Sequence, residues 1–214
     1  MIVQVFSTIP KDLMSRNRII VVTTGILLWL ISGVACNGLI LNTTSTPVPT
    51  AITVVDIPYA KIIYYDVNGS TERDLREQLN AMGPVGPDGY HGDALTSWHV
   101  RWTWDGYGAE NCDLRTASAT YDIKVTMPRW VPPEDVSPAL IEKWNQYMLA
   151  LTAHENVHVE NVIANLPVVI NAIRRASCST AEAKAQEILA GIRQNDMDFD
   201  TRTDHGSTQG ARFP

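Results

Sequence analysis

Only three cysteines occur in the 214 residues, at positions 36, 112 and 178, and none stands at the short spacing of a thiolate metal site. A cysteine-built metal knuckle is thereby excluded. Basic clusters are missing too: 17 Lys and Arg face 23 Asp and Glu, for a formal net charge of -6, and no Lys/Arg run marks the body of the chain. That balance leaves no electrostatic footprint for nucleic acid, which is excluded as a partner. There are no internal repeats. At 45% hydrophobic, a chain of this length buries one core rather than two.

What is present begins with a targeting segment at residues 1–36. Lys11, Arg16 and Arg18 precede the apolar run Ile19 to Ile31, and Ser32, Gly33 and Ala35 lead to Cys36. A positive region, an apolar region and small residues in that order make an export signal. The run is only just long enough to span a bilayer, so an uncleaved signal-anchor stays open beside cleavage after Ala35. Ser32-Gly33-Val34-Ala35-Cys36 resembles the lipobox of bacterial lipoproteins, with Gly33 in place of the usual Leu. That resemblance implies lipidation of Cys36 and a membrane-held, extracytoplasmic protein of the cell envelope, with secretion as the other outcome. Residues 37–57, rich in Thr and Pro at their centre, read as a disordered tether. In an oxidising compartment Cys112 and Cys178 are expected to pair.

A single domain is expected over 58–214. Ala60–Val67 is rich in strand formers and Asn68-Gly69 marks a turn. A helix follows from about Thr71 to Met82, with Leu75, Leu79 and Met82 on one face. Trp98–Trp104 alternates, as does Ala117–Met127 with Tyr121, Ile123, Val125 and Met127 inward, so the two runs should pair before Pro128 stops the sheet. Ser137-Pro138 opens a long helix whose stripe of Leu140, Ile141, Trp144, Met148 and Leu151 leads to His154. Pro167 should kink or end it, and Ser179 with Glu182 should cap a last helix to about Arg193. The class expected is α+β: a small antiparallel sheet packed on a long helix, zincin-like, with a helical C-terminal part.

That long helix contains His154-Glu155-Asn156-Val157-His158, an H-E-x-x-H pattern. Residues four apart share a helix face, so both imidazoles can aim at one zinc ion, while Glu155 is placed to activate water there as a general base. A third protein ligand is needed. His205, Asp200, Glu182 and Glu187 are the candidates. The spacing to Glu182 suits the gluzincin plan, whereas Asn161 and Ala164 stand where a metzincin would place Gly and His. His99, Tyr90 and His91 are weaker candidates for stabilising an oxyanion.

The order of Tyr65-Asp66-Val67-Asn68-Gly69, Gly83-Pro84, a Trp-rich strand, Cys112, Pro128-x-Trp130, Trp144-x-x-Tyr147, the H-E-x-x-H pattern, Cys178 and the closing Asp200-x-x-Thr203-x-His205-Gly206-x-x-Gln209-Gly210-Ala211 resembles the DUF922 family of bacterial secreted proteins. Members of that family are predicted to be zinc-dependent proteases. The resemblance implies that the polar tail belongs to the site and that His205 is the third zinc ligand. In the mechanism expected, amide hydrolysis at zinc, Asp204 or Asp200 orients an imidazole and the substrate is a peptide or protein. Two other readings stay open at this point: a non-catalytic zinc-containing binding or scaffold protein of the envelope, and a zinc amidase acting on the cell wall.

Overall fold

A computed structural model describes residues 49–86 and 89–214. The expected signal segment with Cys36 and the first part of the expected tether lie outside the described residues. Strand β1 (Lys61–Val67), helix α1 (Glu72–Met82), strands β2 (Leu95–Asp105) and β3 (Asp113–Trp130), and helices α2 (Pro138–Arg174) and α3 (Ala181–Thr203) follow in that order, with a short 3-10 helix at Ser207–Gln209. The class is α+β, as the sequence predicts. Among the described residues no helix is long and apolar enough to cross a membrane.

The sheet is mixed rather than antiparallel, which corrects the expectation. Its order is β1-β3-β2, with β2 antiparallel and β1 parallel to the central strand. The excursion through α1 turns the chain back into β2, and the hairpin that follows reverses it again, so β3 re-enters alongside β1. Trp98 lies opposite Ile123 and Val100 opposite Tyr121, the expected pairing of the two alternating runs. Pro128 does not stop β3. It pairs with Tyr65 of β1, and the β2 ladder has already ended at Leu95 and Thr126. There β3 has one open edge, a place where a strand tolerates a residue without an N–H.

The core forms where this sheet meets α2. Ile123, Val125 and Met127 face Trp144, Met148 and Leu151, all at most 3% exposed, while Tyr121 turns outward at 39%. Trp144 packs between Trp130 and Phe213, with ring centroids 5.4 and 5.7 Å away. Helix α1 covers the sheet with Leu75 and Leu79, its first turn closed by a reciprocal pair of bonds between Thr71 and Asp74. Met82, expected on that buried face, is exposed.

Three further corrections concern boundaries. Residues 50–57, read as tether, are held on the domain: Ala51 and Ile57 are buried, the Ile52 N–H donates to Asn145 Oδ1 at 2.7 Å, and Trp144 Nε1 donates to the Ile52 carbonyl at 3.1 Å. The Thr/Pro-rich composition has given way there to Ile52, Val54, Val55 and Ile57. Second, α2 continues through Pro167 to Arg174, anchored beyond the proline by Val169 and Ile173 at 0% exposure. Third, α3 is capped at Thr180 without a side-chain bond and continues to Thr203, ten residues past Arg193. Glu182 caps nothing; its Oε2 accepts from Trp102 Nε1 and the Tyr107 hydroxyl, both at 2.8 Å. The expected Cys112–Cys178 disulfide is formed and ties the end of the β2–β3 hairpin to the α2–α3 turn.

Candidate metal centre

The stripe that fixes α2 on the sheet runs straight into His154, Glu155 and His158, which are 4, 4 and 8% exposed. Three polar side chains in succession on a buried face are costly unless each is satisfied. Helix α3 supplies the partners. Asp200 Oδ1 lies 3.2 Å from His154 Nε2 and 3.1 Å from His158 Nε2. His158 Nδ1 donates to Asp196 Oδ1 at 3.2 Å, and His154 Nδ1 donates to Gln209 Oε1 at 2.9 Å. Each imidazole is therefore oriented through Nδ1 and presents Nε2 towards one shared point.

The donor chemistry fits a divalent cation. Atoms of His154, His158 and Asp200 that can act as ligands all lie within 4.8 Å of one another. Two imidazole nitrogens and one carboxylate form a donor set suited to zinc, and a bonded outer layer behind each imidazole is the usual companion of such a centre. Asp196 belongs to that outer layer: besides His158 it accepts from Asn161 Nδ2 at 2.8 Å and from Trp98 Nε1 at 3.0 Å.

Electrostatics point the same way. Burial alone would lower the His158 pKa, but the carboxylates of Asp196 and Asp200 prevail and push it up to about 10. Burial would raise Asp200, yet its bonds to His154 and His158 hold it well below the usual carboxylate range. The pocket thus demands positive charge between these groups, which a proton or a metal ion can supply. Glu155 is shifted upward, chiefly by burial and against the pull of His158 and Thr96. The Thr96 hydroxyl donates to its Oε2 at 2.6 Å.

The structure brings Asp200, not His205, to the two histidines. Asp204 and His205 both take φ of 49°, and the His205 ring lies flat on Tyr90 with centroids 3.8 Å apart. Glu182 is engaged with Trp102 and Tyr107, and Glu187 pairs with Lys184 on the surface at 2.7 Å, so neither is a ligand. Asp204 is the exposed C-cap of α3, and the orienting role expected of it falls to Asp196 and Gln209. The tail nevertheless belongs to the site. Gly206 presses against the His154 ring, where an added Cβ would come within 3.1 Å of Cγ, and its φ of 79° is one that glycine adopts freely.

These groups open on a cleft of about 450 Å³ whose walls include Tyr90, Trp98, Arg193 and His205, with the exposed His91 and His99 also along it. Thr96 and Asp196 are site residues that sequence reasoning missed, and Gln209, quoted in the closing motif, was given no role there. For Asp196 a signal exists: Ala181, Ala185, Leu189, Ile192, Asp196, Asp200 and Thr203 keep helical spacing, with carboxylates continuing an apolar stripe.

The molecule is thus an α+β domain with a histidine-carboxylate centre built where two long helices meet. Over residues 62–206 it matches the family model DUF922, described as a bacterial protein of unknown function, and the chain belongs to that family. No curated protein and no solved structure matches it.

Proposed function

We propose that this chain is a zinc-dependent hydrolase of zincin type, a metallopeptidase of the bacterial cell envelope. The observation that supports it is a buried glutamate set beside a His-His-Asp donor set at the floor of an open cleft. His154, His158 and Asp200 would hold the metal. When bound, zinc supplies a Lewis acid that polarises a carbonyl and makes water easier to deprotonate near neutral pH.

The remaining work falls to the chain. Glu155 takes a proton from the attacking water and returns it to the leaving amine. Burial keeps its proton affinity above that of an ordinary glutamate, which suits a group that must accept and then give up a proton. Thr96 fixes the carboxylate through Oε2. Gln209 and Asp196 keep the imidazoles in the tautomer that leaves Nε2 for the metal. An extracytoplasmic location is supported by the disulfide, since such bonds persist in oxidising compartments, and by the apolar run before Cys36.

Glu155→Gln should retain zinc at the parent stoichiometry while hydrolysis of a peptide library falls by roughly 100-fold or more. His154→Ala and His158→Ala should lose both. Metal analysis of the purified variants beside a peptide-cleavage assay checks this. Cleavage that survives Glu155→Gln would remove the base from its role, and zinc binding without cleavage of peptides or cell-wall amides would leave a non-catalytic metal protein.

A further inference from the structure

The carboxylates along the cleft are all engaged. Asp93 pairs with Arg76; Asp196 accepts from His158, Asn161 and Trp98; Asp200 lies against both histidines; Glu155 is held by Thr96. Arg193, on the same wall, has no carboxylate partner among the described residues. Its guanidinium carbon sits 5.6 Å from the centroid of the Trp98 ring. The side chain is exposed in a chain whose formal net charge is -6, yet no acidic group has been drawn to it.

Position gives this cation a meaning. Arg193, Asp196, Met197 and Asp200 follow one another down the cleft face of α3. At 1.5 Å of rise per residue, Arg193 stands about 10 Å from Asp200 along the helix axis. On the facing strand, Thr96 holds Glu155, and Trp98, two residues on, touches both Asp196 and Arg193. Both walls therefore lead from the reacting centre towards Arg193. An extended peptide advances about 3.3 Å per residue, so about three residues cover that distance. Lying against an indole limits the rotamers of the guanidinium while its N–H fork stays available, an arrangement ready to grip a carboxylate with two parallel bonds.

Resting on the hydrolase reading above, we infer that Arg193 is a specificity residue that binds a substrate carboxylate about three residues from the bond attacked. Either an acidic side chain or the free C-terminus of a short peptide supplies that chemistry. The test uses the zinc-loaded full chain carrying Glu155→Gln, so that peptides bind without turnover. Fluorescein-labelled heptapeptides are titrated by anisotropy: one neutral and amidated, one neutral with a free C-terminus, and a set of amidated peptides with a single Asp moved through each position. Binding about tenfold tighter is expected for Asp at one position, or for the free C-terminus, and the winning arm identifies the source. Adding Arg193→Gln should abolish the preference, and Arg193→Glu should transfer it to Lys at the same place, with zinc content equal throughout. A preference that persists in Arg193→Gln, or no carboxylate preference in a protein that does bind peptides, overturns the inference alone. Failure to bind any peptide overturns the peptidase reading and this inference with it.

Discussion

Asp200 Oδ1 lies almost equally far from two imidazole nitrogens, 3.2 and 3.1 Å away, and it is the group that completes, with the helical histidine pair, a set of three side chains able to hold a metal ion. Asp200→Ala should therefore cut zinc affinity sharply, whereas His205→Ala should leave it near that of the parent because that ring rests on Tyr90. Isothermal titration of metal-free protein separates the two, and the opposite ranking would restore His205 as the ligand. Behind the ligands, Asp196→Leu and Gln209→Leu each remove an acceptor for an Nδ1–H. A loss of about 10- to 100-fold in zinc affinity is expected for each, with the fold retained by circular dichroism. His154, Glu155 and His158 were legible from the sequence because their relation is local: spacing on one helix puts them on one face whatever surrounds it. Asp200 was visible only as one candidate among four. Its meeting with His158 spans 42 residues and depends on where α3 ends. Thr96 was not legible at all, since a hydroxyl on a strand carries no pattern of its own, and Gln209 entered only as part of the closing motif, with no role attached to it.

Two elements ran longer than local rules allow. Pro167 removes a single N–H bond from α2, and the buried Val162, Val169 and Ile173 on either side keep the helix continuous. Beyond Arg193, Asn195, Asp196, Asp198 and Asp200 read as a polar tail by propensity. Bonds from Trp98, Asn161 and the two histidines replace the apolar contacts that would otherwise hold that end of α3. The strands were read well in type, and the β2–β3 pair in direction too, but β1 was not, because alternation specifies a face and is silent on which neighbour runs parallel. At this scale the disulfide has a measurable role. The bond joins residues 66 apart, at the turn from which α3 departs. By loop entropy, Cys112→Ser with Cys178→Ser should cost about 4 kcal/mol of folding stability. Urea unfolding of the parent and the double variant, both at matched zinc, measures it, and a difference under about 1 kcal/mol would show that the link constrains little.

On the scale of the whole molecule, the tail closes the structure by returning to its centre. Phe213 is 1% exposed and packs on Trp144 and Tyr147, the Arg76 guanidinium donates to its carbonyl at 3.0 Å, and Gln209 meets His154. Removing residues 205–214 should both lower the melting temperature and weaken zinc binding, in contrast to the trimming of a frayed end. Thermal unfolding with and without zinc checks this: a truncated chain with the parent's melting point and the parent's zinc-induced rise would detach the tail from the centre. The same closure fixes an order of events during biosynthesis. Chains emerge N-terminus first, so His154 and His158 leave the ribosome well before Asp200, and Gln209 follows later still. Until then the two imidazoles are a bidentate pair with little power to choose among divalent ions. On the metal reading proposed above, the choice of ion would be deferred to the moment when Asp200 and Gln209 dock, and the ion kept would be the one abundant wherever folding ends.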